Sequence, residues 1–263
     1  INLQNHRGPD HSRIVGINTK KNNYKIIDRE VNITQDLPTS NILFGFNRLS
    51  ILDLSANGNQ PMISSDNNVI LMMNGEIYNA NSHRTKLANK GYSFKSKTDT
   101  EVVMNLYLEY GMDKMIKKLN GMFSIVIYDF NQKKIFLARD RMGIKPLYIL
   151  EEGNRISFSS EIKSFKALSN FNFQFDKSRI DEFLLFRNLI HDTLFKDITN
   201  LDPGVILELS IDKKEIIKNR YYSIDSEEII ESSYRDSYDL IYQSLKNSVE
   251  RQMISDVKLS SQL

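Results

Sequence analysis

The chain is 263 residues long, 40% hydrophobic and 26% charged, proportions of a folded globular protein that exclude an intrinsically disordered one. Lys and Arg number 35 against 33 Asp and Glu, so a net charge of +2 offers no basic surplus for nucleic acid. Cysteine is absent, which excludes disulfides, thiolate metal sites and a thiol nucleophile among these residues.

The apolar runs at 42–46, 69–73 and 123–128 are too short to span a bilayer, and the opening residues are too polar for a signal peptide. The chain opens on Ile1, and residues 257–263 read as a strand entering something further, so a fragment is expected.

Strand signals come first, at 42–46 and 69–73, each between turn-forming clusters. Residues 80–90 look helical. Val103, Leu106, Tyr107 and Tyr110 then form a helical stripe that Gly111 ends, and Met112, Met115, Ile116 and Leu119 form the next. Three hairpins follow: 122–130 with 135–138, 147–150 with 156–159, and 205–209 with 215–222. Strands, helices and then tight hairpins indicate an antiparallel α+β fold rather than βαβ repeats. After an acidic stretch at 223–231, an amphipathic helix is expected over about 232–254, with Tyr234, Tyr238, Ile241, Leu245, Val249 and Met253 on one stripe. That stripe needs a partner surface, either the first domain or a second one that the helix opens.

Several residues could carry chemistry. Arg48 follows a strand and could clamp a carboxylate with its planar fork, although a lone Arg is more often a surface residue. Asn74-Gly75-Glu76 follows the buried run 69–73. An Asn amide beside an unhindered backbone N–H offers two donors for an oxyanion, yet Asn-Gly is also common hairpin chemistry. Thr98-Asp99-Thr100-Glu101 fits a capping box, with Asp99 placed for the helix dipole or for a ligand ammonium.

Taken in order, these segments resemble the class II glutamine amidotransferase domain of glutamine-dependent asparagine synthetases. The matching stretches are His6-Arg7-Gly8-Pro9-Asp10, Arg48-Leu49-Ser50-Ile51-Leu52-Asp53, Asn57-Gly58-Asn59-Gln60-Pro61, Asn74-Gly75-Glu76-Ile77-Tyr78-Asn79, Asp99-Thr100-Glu101 and Arg139-Asp140-Arg141-Met142-Gly143. The resemblance implies an N-terminal nucleophile hydrolase fold, two antiparallel sheets between helices. It assigns residues 1–222 to the glutaminase domain and 223–263 to the start of an ATP-dependent synthetase domain. The family's nucleophile is an N-terminal Cys with its own amine as base. That Cys, with the first strand and helix, is expected before Ile1. Carried over by position, Asn74 and Gly75 form the oxyanion hole. Arg48 pairs with the glutamine α-carboxylate beside Ile51 and Leu52, and Glu76 and Asp99 hold the polar groups of glutamine. Leu263 is expected to touch a nucleotide.

The same resemblance implies a cytoplasmic enzyme that passes ammonia from glutamine to aspartate activated by ATP and Mg²⁺ in the second domain. It implies no membrane or nucleic-acid partner, and leaves a homodimer open. Two alternatives stand beside it: a related amidotransferase with another acceptor, and a degenerate scaffold domain. Retention of Arg48, Asn74, Gly75, Glu76 and Asp99 speaks against decay. The stretch 12–41 looks longer than the family's and is expected to form an extra surface hairpin.

Overall fold

The computed structural model describes residues 1–28, 36–168, 171–187, 189, 192–226, 229, 231, 233–258 and 260. Its centre is a six-stranded antiparallel sheet. β4 (Met62–Ile63), β5 (Val69–Ile77), β6 (Gly121–Asp129) and β7 (Lys134–Arg139) lie side by side, followed by β11 (Val205–Ser210) and β12 (Glu215–Arg220). β5 and β6 pair along their whole length, from Val69 opposite Asp129 to Ile77 opposite Gly121.

Period-two alternation sends the side chains of this sheet into two separate cores. Val69, Leu71 and Met73, with Phe123, Ile125 and Ile127, face the helices α1 (Ala80–Ala88) and α2 (Asp99–Lys118). Ile70, Met72, Val126, Tyr128 and Leu137 face the other way, onto a second β layer. Each fully buried aliphatic side chain contributes roughly 1.5–3 kcal/mol, so the alternation fixes the strand register. α2 breaks at Gly111, whose φ of 70° is non-helical, as the two stripes meeting at that glycine predict.

The second layer is divided. One part is β2 (Asn23–Ile27), β1 (His11–Asn18) and β3 (Ile42–Arg48); the other is β10 (Ile198–Asn200), β8 (Tyr148–Glu152) and β9 (Arg155–Ser159). The antiparallel α+β sandwich is therefore present, with its second sheet in two three-stranded pieces. Among the described residues, α1 and α2 cover only the outer face of the six-stranded sheet.

Four expectations need correction. The hairpin within 12–41 is not an added surface feature: β1 is the middle strand of its sheet, and Val15 and Ile17 are wholly buried in the core. β5 runs on past Met73 to Ile77, so Asn74, Gly75 and Glu76 belong to the strand rather than to a loop after it. The capping box at α2 is half formed. Thr98 Oγ1 accepts the Glu101 N–H at 3.3 Å, but the Glu101 carboxylate accepts from the Lys95 and Ser96 N–H groups instead of returning to Thr98. Of the strand expected over 257–263, residues 257, 258 and 260 are not in a strand, while 259 and 261–263, Leu263 among them, lie outside the described residues. The amphipathic helix is present as α4 (Tyr234–Gln252), after the short α3 (Ile180–Phe186). Its stripe is exposed, with Tyr238, Ile241 and Leu245 each at least 60% accessible.

Candidate active site

Arg48, Ile51, Leu52, Asn74, Gly75, Glu76 and Asp99 all line one cavity of about 1180 Å³ between the two β layers. Residues from positions 48 to 99 converge there because β3 ends, β5 ends and α2 begins at the same corner of the fold.

Arg48 is buried, not a surface residue. Its Nη1 donates to Ser55 O at 2.7 Å and Asn59 Oδ1 at 3.0 Å, and its Nη2 donates to Leu52 O at 3.1 Å and to Asp53 O. The guanidinium thus organises the 52–59 loop that forms the cavity wall. Gly58 is required by this packing, because a Cβ there would lie 2.1 Å from Arg48 Nη2. Asp53 closes the loop at its other side, accepting from Ser55 N–H at 3.0 Å and Lys97 N–H at 2.7 Å. Burial opposes its ionisation, but these bonds and the nearby Arg48 outweigh it and hold the carboxyl below its usual range.

On the opposite wall, the Asn74 Nδ2 donates to Ser160 Oγ at 3.3 Å, a bond long enough to yield to a stronger acceptor. Gly75 lies against β6 so closely that a Cβ would stand 2.0 Å from Met122 O. Only glycine allows that approach and leaves the backbone open beside the Asn74 amide. The Gln60 side chain braces this strand end: it accepts from Met73 N–H at 2.6 Å and donates to Met73 O and Thr100 Oγ1, both at 3.2 Å.

Asp99 is buried at the start of α2, where it accepts from Ile77 N–H at 2.8 Å and Thr100 N–H at 2.9 Å. Burial dominates and pushes its carboxyl up to about 6, with the neighbouring Glu76 adding to the rise. Burial also raises the Glu76 carboxyl, while Lys145 draws it back. A paired acidic wall of this kind suits a ligand ammonium, whose charge would favour both ionised forms.

Lys145, Thr98, Thr100, Gln60 and Ser160 line the same cavity, and apart from the helix cap at Thr98 sequence reasoning gave none of them a role. The Lys145 loop is shaped by Arg139 and Asp140. Asp140 accepts from the N–H groups of Phe123, Met142, Ile144 and Lys145 at 2.9–3.2 Å. Arg139 donates to the carbonyls of Lys145, Gly143 and Leu201. The available signal was the paired opposite charges in the Arg139-Asp140-Arg141-Met142-Gly143 stretch, which pointed to a motif but not to its geometry.

A "Glutamine amidotransferase domain" family model matches residues 16–222. The chain is 37% identical over 232 residues to glutamine-hydrolyzing asparagine synthetase 2 of Bacillus subtilis, covering 84% of this chain and 30% of that protein. Asparagine synthetase 3 of the same organism is 33% identical over 220 residues, covering 82% of this chain and 35% of that protein. The chain thus spans about a third of the length of these relatives. Among solved structures, the glutamine phosphoribosylpyrophosphate amidotransferase of B. subtilis superposes with a TM-score of 0.61 at 20% identity, covering 84% of this chain and 44% of that one. The shared fold is the N-terminal nucleophile hydrolase sandwich expected above. With a family match over most of its length and the family's residues gathered in one cavity, the chain belongs to the glutamine amidotransferase domain family.

Proposed function

We propose that this chain is the glutamine-hydrolysing part of an asparagine synthetase. The supporting observation is that seven residues named from three separate sequence segments line one cavity. The α-carboxylate of glutamine enters beside Arg48 and the 51–53 loop, and its α-ammonium sits between Asp99 and Glu76. The side-chain amide is then directed toward Asn74 and Gly75.

A cysteine supplied from outside these residues attacks the amide carbon, and its thiol proton passes to that residue's own amine. The carbonyl oxygen takes negative charge and is met by the Asn74 Nδ2–H and the Gly75 N–H. Collapse expels ammonia carrying the transferred proton and leaves a glutamyl thioester, and water then releases glutamate and restores the thiol. The ammonia is used to amidate aspartate activated by ATP, which leaves as AMP.

The described residues hold no group of three or more His, Asp or Glu placed for a metal. In this reading ATP and its Mg²⁺ belong to the part of the relatives' length that this chain does not cover. The family match ends at 222, which supports reading residues 223–263 as the entry to that second domain. No described helix is long and apolar enough to cross a membrane. Calorimetric titration of the chain with glutamine and with asparagine tests the site: binding of glutamine lost in Asp99→Asn supports it, and indifference to that substitution rejects it.

A further inference from the structure

The chain that leaves α4 comes back to the cavity wall. Ser255 turns it: its hydroxyl donates to Val257 O at 2.9 Å and accepts the Val257 N–H at 3.1 Å. Asp256, inside that turn, then meets the 51–53 segment twice. Its N–H donates to Ile51 O at 3.0 Å, and its Oδ2 accepts the Asp53 N–H at 2.8 Å across 203 positions of sequence.

The segment it meets is not self-supporting. Asp53 has a φ of 53°, in the left-handed region, where a residue with a side chain persists only when its surroundings fix it. The two backbone groups of Asp53 are taken by two different side chains. Its carbonyl accepts from Arg48 Nη2, and its N–H is the one that Asp256 holds. Leu52 O also accepts from Arg48 Nη2 at 3.1 Å, and the Ser50 N–H is taken by Asp10 Oδ2 at 2.7 Å. One residue, Asp53, therefore stands between the guanidinium that lines the cavity and an exposed carboxylate outside it. A hydrogen bond to an ionised carboxylate is roughly twice as strong as one between neutral groups, so the outer tie is not the weak member of the set.

We propose that Asp256 is a positioning residue for the glutamine site. By holding the Ile51 carbonyl and the Asp53 N–H it fixes the 51–53 backbone, whose carbonyls orient the Arg48 guanidinium beside the glutamine α-carboxylate. This role rests on the glutaminase reading and adds to it a residue from beyond the family match, which ends at 222. Asp256 also belongs to the chain that follows α4, so glutamine binding and the placement of that chain are coupled. Such coupling is reciprocal: the contact tightens glutamine binding, and bound glutamine tightens the contact.

The experiment compares the chain with its Asp256→Ala and Asp256→Asn variants. Alanine removes the acceptor, whereas asparagine keeps a carbonyl oxygen for the Asp53 N–H. Amide exchange over 51–55 should quicken about fivefold in the alanine variant and stay within about twofold of wild type in the asparagine variant. Exchange over 69–77 should change in neither, which shows that the fold is intact. In calorimetric titration, glutamine should bind about threefold or more weakly to Asp256→Ala, and within about twofold of wild type to Asp256→Asn. Saturating glutamine should in turn slow exchange at the Asp256 N–H of the wild-type chain, a response that a merely structural tie would not give. Unchanged exchange over 51–55 in the alanine variant, unchanged glutamine affinity, or equal losses in both variants would each overturn the proposal. A wild-type chain that takes up no glutamine would count against the glutaminase reading, while the exchange comparison would still decide whether Asp256 holds the loop.

Discussion

The Asp99 carboxylate accepts the backbone N–H of Ile77 at 2.8 Å, tying the first residue of α2 to the last residue of β5. One side chain therefore has two demands on it. It pins the strand end that carries Asn74 and Gly75, and it faces the cavity as the proposed partner of the glutamine ammonium. Burial sets the cost, lifting its carboxyl from 3.8 to about 6.

That shift has a definite sign. The folded state binds this proton more tightly than the unfolded chain, so the stabilisation from the protonated form is complete below pH 3.8 and is lost as pH rises through 6. The loss is roughly 3 kcal/mol at 1.36 kcal/mol per pH unit. Other carboxyls, such as Asp53 and Asp66, are held low and act in the opposite direction at lower pH. The measurement is therefore the difference between wild type and Asp99→Asn in urea unfolding at pH 4 and pH 7. The variant should gain relative to wild type as pH rises, and parallel pH curves would remove the burial argument. Glutamine binding should weaken below about pH 6 in the wild type, because a protonated Asp99 offers the ammonium no counter-charge.

Beside its proposed part in holding the glutamine carboxylate, Arg48 ties together the 52–59 loop. Replacing it with Met strips donors from three backbone carbonyls and Asn59, and each buried group left unpaired costs about 1–3 kcal/mol. Arg48→Met should cost about 3 kcal/mol or more in urea unfolding, with fast amide exchange confined first to 52–59. Arg48→Lys should fall between, since an ammonium cannot reproduce the planar fork. A Met variant with wild-type stability and lost glutamine binding would restore the simpler role.

What could be read from the sequence divides along physical lines. The buried strands and both cores follow from period-two patterning, and Gly111 breaks its helix as its conformation dictates. The extension of β5 to Ile77 was hidden because Asn and Gly are poor strand formers. Their extended backbone is enforced from β6, where Met122 and Phe123 pair across. Gln60, Arg139 and Asp140 were equally hidden. Their roles lie in hydrogen bonds to backbone groups, at Met73 for Gln60 and in the 143–145 loop for the pair, which no spacing encodes. The seven candidate residues were named from motifs that resemble the family's, and what the fold adds is that they line one cavity, while the α4 stripe was legible without its partner.

The chain by itself should release no ammonia from glutamine. It contains no cysteine, and Ile1 offers its amine without a nucleophilic side chain. A coupled glutamate dehydrogenase assay on the purified chain checks this, and turnover above a heat-treated control would mean that another residue serves as nucleophile.

Asn74 provides the sharpest separation between a structural and a chemical role. Its amide now donates to Ser160 Oγ at 3.3 Å, and that bond must be exchanged for the oxyanion in the proposed reaction. Losing one preorganised oxyanion donor costs about 2.7–4 kcal/mol of transition-state stabilisation. In the domain supplied with a cysteine nucleophile, Asn74→Ala should therefore lower kcat for glutamine hydrolysis by about two to three orders of magnitude. KM should move little, because the donor acts on charge that develops only in the transition state. Ser160→Ala is the control. It frees the Asn74 amide from its resting partner while leaving the donor in place, so kcat should stay within about an order of magnitude of wild type. If both substitutions lower kcat equally, the Asn74–Ser160 contact is a structural tie between β5 and the end of β9, and the oxyanion must be held by other donors.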